Sequence, residues 1–151
     1  VIDTNVETDL ELLFPSDYIP SDSERILLYR ELDNMEDETG IEQFRIKLKD
    51  RFGTIPNKGE ELIRIITLRR IAKKLGIEKI FLKNGRMSLH LVNNPNSSYY
   101  QSLAFDKLLK FIQSNYKRTQ LKEQNNRRMV IIEKVDTVEK AVQIMNEINN
   151  L

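Results

Sequence analysis

The chain has no cysteine. That excludes disulfide scaffolds, thiolate metal sites and cysteine nucleophiles, and it leaves the redox compartment open. Histidine occurs once, at His90. One copy cannot build a multi-histidine metal site or a histidine-dependent triad. His90, between Leu89 and Leu91, reads as a plain strand residue. The five glycines, Gly40, Gly53, Gly59, Gly76 and Gly85, are scattered. No Gly-x-x-x-x-Gly-Lys-Ser/Thr or Gly-x-Gly-x-x-Gly occurs, which argues against ATP held by a phosphate loop. No apolar run approaches the roughly 18 residues needed to span a bilayer. Val1 opens no basic-then-apolar leader. There is no initial methionine either, so the sequence is expected to be a piece of something longer. Carboxylates cluster at Glu7, Asp9 and Glu11 and at Glu36-Asp37-Glu38. Neither group has the spacing and central glycine of a calcium loop. No catalytic, cofactor-binding or metal site is expected in the chain.

What is present is a chain of 151 residues, 40% hydrophobic and 31% charged. This fits one soluble globular domain with a core of its own. The net charge of +1 hides an asymmetry. Residues 1–50 carry 14 acidic and 5 basic side chains, and residues 51–151 carry 9 acidic and 19 basic. Such a split suggests two faces with different partners, two halves that attract each other, or merely solvated surfaces.

Apolar parity predicts a strand over 7–14, with Leu10, Leu12 and Phe14 on one side and Glu7, Asp9 and Glu11 on the other. Helical spacing predicts helices over about 22–36 (Leu28, Leu32, Met35), 40–52 (Ile41, Phe44, Leu48, Phe52) and 57–75 (Leu62, Ile65, Leu68, Ile71, Ala72, Leu75). Gly76 stops the third. β-rich runs at 77–83 and 86–92 flank Asn84-Gly85, a strong hairpin signal. A helix over about 99–114 uses Ala104, Phe105, Leu108 and Ile112. A second hairpin, about 116–123 and 128–134, turns at 124–127. A last helix turns Val138, Ala141, Val142, Met145 and Ile148 inward. Five N-cap-to-N3 pairs mark the helix starts: Ser21/Glu24, Thr39/Glu42, Asn57/Glu60, Ser98/Gln101 and Asp136/Glu139. The expected fold is α+β. A helical N-terminal layer of three helices after a short strand precedes two strand-strand-helix units, which form a small antiparallel sheet with helices on one face. One domain over 1–151 is expected, divisible into subdomains 1–76 and 77–151.

The densest local signal is Asp50-Arg51-Phe52-Gly53-Thr54-Ile55-Pro56. Gly53 can take the left-handed conformation that closes a helix. Pro56 stops the preceding helix and opens the next. Phe52 is placed as the apolar plug of the corner between them. Further ordered matches lie on both sides. Downstream are Leu68-Arg69 and Lys73-Lys74-Leu75-Gly76-Ile77. Upstream are Asp9-Leu10-Glu11-Leu12-Leu13-Phe14-Pro15-x-Asp17-Tyr18-Ile19-Pro20, Arg25 and Tyr29-Arg30. Together the set resembles the C-terminal, regulatory domain of the bacterial transcription-repair coupling factors (Mfd). The resemblance is dense over residues 7–77 and extends only to the order of elements over 78–151.

The resemblance implies a non-catalytic module of an ATP-driven DNA translocase in nucleotide excision repair, cytoplasmic in a bacterium. ATP and magnesium would belong to the motor domains of the parent and not to this segment. It implies docking on the N-terminal domains of the same chain, which masks the surface that recruits UvrA until RNA polymerase is engaged. Neither a membrane nor direct DNA contact is expected. Asp50 and Arg51, held rigidly beside Phe52, are the implied docking residues, and local capping and pairing is the competing reading. Members of that family often read Glu-Leu-x-Asp-Arg-Phe-Gly. Lys47 here stands where the glutamate would be, so the docking contacts have shifted or the clasp is weaker.

The alternative is a nucleic-acid-binding accessory domain. Arg64, Arg69, Arg70, Lys73 and Lys74, with Lys117, Arg118, Lys122, Arg127 and Arg128, would then meet phosphates. Tyr99, Tyr100 and Tyr116 would stack on bases. Against it stand the favourable helix pair of Glu60 with Arg64, the place of Lys73 and Lys74 in a last helical turn, and a pI of only 8.1.

Overall fold

The computed structural model describes residues 3–151. Two compact units are present. One spans Glu11–Thr67, and the other joins the described residues up to Leu10 with Leu68–Leu151. The division falls inside a helix rather than near Gly76, and the opening strand goes with the sheet.

The first unit contains α1 (Asp22–Asp33), α2 (Glu38–Phe52) and the start of α3 (Asn57–Lys74). Its core forms where the apolar stripes of the three helices converge. Leu28 and Leu32 of α1, Ile41, Phe44 and Leu48 of α2, and Ile63 and Ile66 of α3 meet Phe14, Ile19 and Ile55. Leu62 and Ile65, expected inward, are only partly buried. In this unit the α3 stripe is therefore turned by one residue from the expected one. Phe14 is tied at both ends: its ring stacks on Tyr29 at 5.4 Å, and its amide donates to the Tyr29 hydroxyl at 3.0 Å.

Leu68, Ile71, Ala72 and Leu75 are buried in the second unit, as expected. The helix end has a specific mechanism. Ile77 N–H donates to the Ala72 carbonyl and Gly76 N–H to the Lys73 carbonyl, while Gly76 takes φ +70°. This paired 6→1 and 5→2 closure satisfies carbonyls that the helix leaves open, and it needs a positive φ at the penultimate position.

The sheet has five strands in the order β1-β2-β3-β5-β4. The two hairpins, β2 (Lys79–Lys83) with β3 (Arg86–His90) and β4 (Thr119–Gln124) with β5 (Arg127–Glu133), join through the antiparallel pair β3–β5. Strand β1 differs from expectation. It is Asn5–Thr8 rather than 7–14, and it adds to β2 in parallel, so the sheet is mixed. The ladder ends because local polar groups take over. Thr8 Oγ1 accepts from Leu10 N–H, and Asp9 Oδ2 accepts from Asn84 N–H at 2.9 Å. The alternating parity of 10–14 comes instead from chain that runs on to seat Phe14 in the first unit.

One sheet face is buried through Ile80, Leu82, Met87, Leu89, Val130 and Ile132. It shares a core with the apolar sides of α4 (Leu103–Ser114) and α5 (Val138–Asn149). Phe111 and Ile144 are buried there, where Ile112 and Val142 had been expected. The second hairpin turns tightly at Asn125-Asn126, both at positive φ, rather than over four residues.

Of the five helix caps, Ser21 alone acts as the spacing predicts, accepting from Glu24 N–H. Asp37 rather than Thr39 caps α2, and Thr137 rather than Asp136 caps α5. Asp136 pairs with Lys140 instead, at 2.8 Å. The predicted helix at 99 splits into a 3₁₀ turn (Ser98–Gln101) capped by Ser97 and α4 capped by Ser102. Helix α3 begins at Asn57 itself, with Glu60 N–H donating to the Pro56 carbonyl. At α2, the 3₁₀ turn, α4 and α5 another short polar side chain stood within a few residues and had the better reach to an orphan amide.

Alanine at Gly76 is strained by its φ and would also place a Cβ 2.4 Å from the Tyr99 ring. That ring is fixed by a hydrogen bond from its hydroxyl to the Leu75 carbonyl at 2.8 Å. At Gly53, φ is +88° but nothing lies within 4 Å of the added carbon. Both substitutions are expected to destabilise by about 1–3 kcal/mol through the backbone. Gly76→Ala should cost roughly 1 kcal/mol more, through the lost tyrosine bond. Urea midpoints of the two variants test the order. Equal midpoints would contradict it.

Candidate docking surface

The motif at the end of α2 folds as a corner whose parts are mutually fixed. Gly53 accepts a hydrogen bond at its carbonyl from the Tyr18 hydroxyl, at 2.8 Å. The Tyr18 ring lies 5.7 Å from Phe52, and the Arg51 guanidinium sits over the other ring, 5.0 Å from the Phe52 centroid. Phe52 is half-buried rather than a full plug. Gly53 has a positive φ, but its ψ of −164° is extended rather than helical. That combination is almost confined to glycine. Burial and the nearby Glu60 carboxylate push the Tyr18 hydroxyl above its ordinary pKa, so it stays a donor.

The structure brings Lys47, Asp50 and Arg51 together. With Gln43 and Ile46 they line an open depression of about 520 Å³ on the outer side of α2. Two of the three are tied to α1: Lys47 pairs with Glu31 and Arg51 with Glu24. Asp50 is exposed and has no ion pair among the described residues. The ammonium of Lys47 also lies 5.5 Å from the Phe44 ring. Half-exposed pairs of this kind are each worth under about 1 kcal/mol. Their effect is to hold two cations at a set spacing rather than to hold the fold together.

Apolar residues escaped the sequence reading. Ile46 is 52% exposed and Leu27 is 62% exposed. Leu27 shares the i, i+3, i+7 stripe of α1 with Glu24 and Glu31, beside the seam between the helices. A signal was available: both residues are apolar at positions outside their helix's buried stripe.

Several of the remaining basic residues are tied locally. Arg64 pairs with Glu61 at 3.1 Å and Lys73 with Asp3 at 3.5 Å. Arg69 and Arg70 are also engaged. Lys74, Lys117 and Arg127 have no ion pair among the described residues. Arg128 pairs with Glu123 and lies over the Tyr100 ring at 4.5 Å. Arg118 borders a second depression, of about 690 Å³, with Lys117, Tyr116 and Lys134. Tyr99 and Tyr100 pack on each other and on Phe105. The carboxylate runs are also used locally. Glu7 bridges Lys79 and Lys83, Glu11 pairs with Lys58, and Asp37 caps α2. No group of three or more metal-ligating side chains occurs among the described residues.

His90 packs against Phe81, with ring centroids 4.9 Å apart. Burial first, then Arg127 and Lys79, pull its pKa below 6.5. The folded state thus disfavours the charged imidazole. Its contribution to stability is complete above about pH 6.5 and is lost as pH falls toward the depressed folded value. An NMR titration of His90 should show a midpoint below 6.5. A midpoint at or above that value would contradict the burial argument.

What the two units define is a mixed α+β domain that displays charged, partly apolar surfaces. The TRCF domain family model matches residues 8–102. The chain belongs to this family, the transcription-repair coupling factors, and its fold is that of their C-terminal domain. It is 29% identical over 147 residues to the transcription-repair-coupling factor of Rickettsia typhi (strain ATCC VR-144 / Wilmington), covering 97% of this chain and 12% of that protein. Against the factor of Escherichia coli (strain K12) it is 36% identical over 77 residues, 51% of this chain and 7% of the relative. A crystal structure of a transcription-repair coupling factor C-terminal domain superposes with a TM-score of 0.79 at 12% identity, covering 99% of this chain and 93% of that one. The chain thus spans about an eighth of the Rickettsia relative's length. No helix among the described residues is long and apolar enough to cross a membrane.

Proposed function

We propose that this domain is a non-catalytic regulatory lid of a bacterial, cytoplasmic transcription-repair coupling factor. It docks through the outer side of α2 on the N-terminal domains of its own parent chain. Docked, it covers the surface that recruits UvrA, and engagement of RNA polymerase releases it. The observation that carries this reading is the arrangement at the end of α2. Asp50, Lys47 and Arg51 surround the exposed Ile46 on a rigid helix end, where a small apolar contact with a charged rim favours a specific but modest interface.

A modest interface suffices for a tethered lid. The tether supplies a high effective concentration, so weak contacts keep the closed state populated. Release then needs only a few kcal/mol of competing contacts. Lys47 fits the same scheme. Its pairing with Glu31 spends on α1 a side chain that the family motif offers as a glutamate. Asp50 is left as the unpaired charge for a basic group on the partner. The nucleotide and magnesium of the reaction cycle belong to the motor domains of the parent.

Two outcomes test the reading. Reversing Asp50 and Arg51 together (Asp50→Arg, Arg51→Glu) in the full-length factor should raise its affinity for UvrA about tenfold, the equivalent of roughly 1.4 kcal/mol of lost clasp. The melting temperature should move little, because both side chains are exposed. Unchanged UvrA affinity would remove this face from the interface. The isolated chain should show no ATP hydrolysis, and turnover that co-purifies with the folded domain would end the non-catalytic reading.

A further inference from the structure

The outer face of the sheet gathers aromatic and basic side chains. The strand register puts Lys79, Phe81 and Lys83 of β2, His90 of β3, and Lys122 and Arg127 of the outer hairpin on the side away from the buried face. Phe81 is an aromatic ring at a solvent-side position, with the His90 ring beside it at 4.9 Å. The ammonium groups of Lys79 and Lys83 lie 4.7 and 5.2 Å from its centroid. Glu7 is the acid that reaches both lysines. Lys122 and Arg127 have no ion pair among the described residues, and Arg127 lies close enough to His90 to disfavour its charged form. At neutral pH the imidazole is therefore an uncharged ring next to Phe81.

We propose that this face binds single-stranded DNA, with bases stacked on Phe81 and His90 and phosphates held by Lys79, Lys83, Lys122 and Arg127. Aromatic side chains set in a basic surface are the combination that recognises unpaired nucleotides, since every base has a flat face to stack. From β2 to β4 the strands span about 14 Å, enough for two or three nucleotides. A duplex is excluded because its base planes are stacked on one another. None of the contacts calls on a 2′-hydroxyl, so DNA meets all of them. Net charge over the whole chain conceals the site, because the acids concentrate in residues 1–50. The site lies in the sheet unit and does not depend on the proposed docking face of α2.

Fluorescence anisotropy of the whole chain with a labelled thymidine strand of about ten nucleotides, in roughly 50 mM salt, tests it. Saturable binding is expected, with log affinity falling against log salt at a slope of about −2 to −3 for four phosphate contacts. Phe81→Leu keeps an apolar side chain but removes the ring, and should weaken binding about fivefold or more. Lys122→Glu with Arg127→Glu changes only exposed residues of the outer hairpin, so the fold is spared. That pair should weaken binding at least tenfold, while Lys47→Glu on α2 should leave it unchanged. Any of the following would overturn the proposal: no saturable binding, wild-type affinity in both sheet variants, or a duplex of the same sequence bound as tightly. An RNA strand bound tenfold more tightly than the DNA would overturn the assignment to DNA.

Discussion

Gly53 is held at φ +88° and ψ −164°, a conformation in which any Cβ would be strained, and the Tyr18 hydroxyl grips its carbonyl. This constraint stops α2 immediately after Phe52 and turns the chain into Ile55, which drops into the core. The last two turns of α2 therefore have a defined end and a defined roll. Ile41, Phe44 and Leu48 fix the roll by burial, and Lys47, Asp50 and Arg51 must then point outward. The ion pairs to α1 are too exposed to create this geometry. They refine a surface that the core and the glycine have already set.

The sheet unit depends on a similar device. The closure of α3 at Gly76 sends Ile77 into a buried position, directly before β2. Thr4 Oγ1 donates to the Ile77 carbonyl at 2.7 Å, and Thr8 Oγ1 to the Leu82 carbonyl at 2.7 Å. These two bonds bracket the parallel pair β1–β2 and hold a four-residue strand that pairing alone would leave marginal. A helix C-terminus and a short strand far apart in sequence thus specify each other.

Much of this was legible in the residues. Helices with long apolar stripes, such as α2 with Ile41, Phe44 and Leu48, announce themselves by period. Asn84-Gly85 announces its hairpin by the positive φ both residues adopt. The family was readable from ordered motifs between Asp9 and Ile77. The failures have common physical causes. Capping is decided by which of several short polar side chains reaches an amide first, and in 97–102 or 136–137 the sequence offers more than one. The expected reach of β1 was too long because apolar parity at Leu10, Leu12 and Phe14 marks residues that turn at least partly inward, with Phe14 fully buried, and does not require that a ladder continue. The parallel pairing of β1 could not be read locally, since it joins residues more than seventy positions apart. Exposed Ile46 and Leu27 lie off the buried stripes of their helices, so helical period alone gives them no place.

The proposed lid rests on α2 meeting the N-terminal domains of its parent, and an in-trans titration examines that contact itself. The isotope-labelled chain would be mixed with the separately expressed N-terminal domains of the same factor, and backbone amide shifts followed by NMR. Shifts and broadening concentrated at Gln43, Ile46, Lys47, Asp50 and Arg51, and weakening as salt is raised, are the predicted result. A saturating complex whose shifts lie elsewhere, with α2 unmoved, would contradict it.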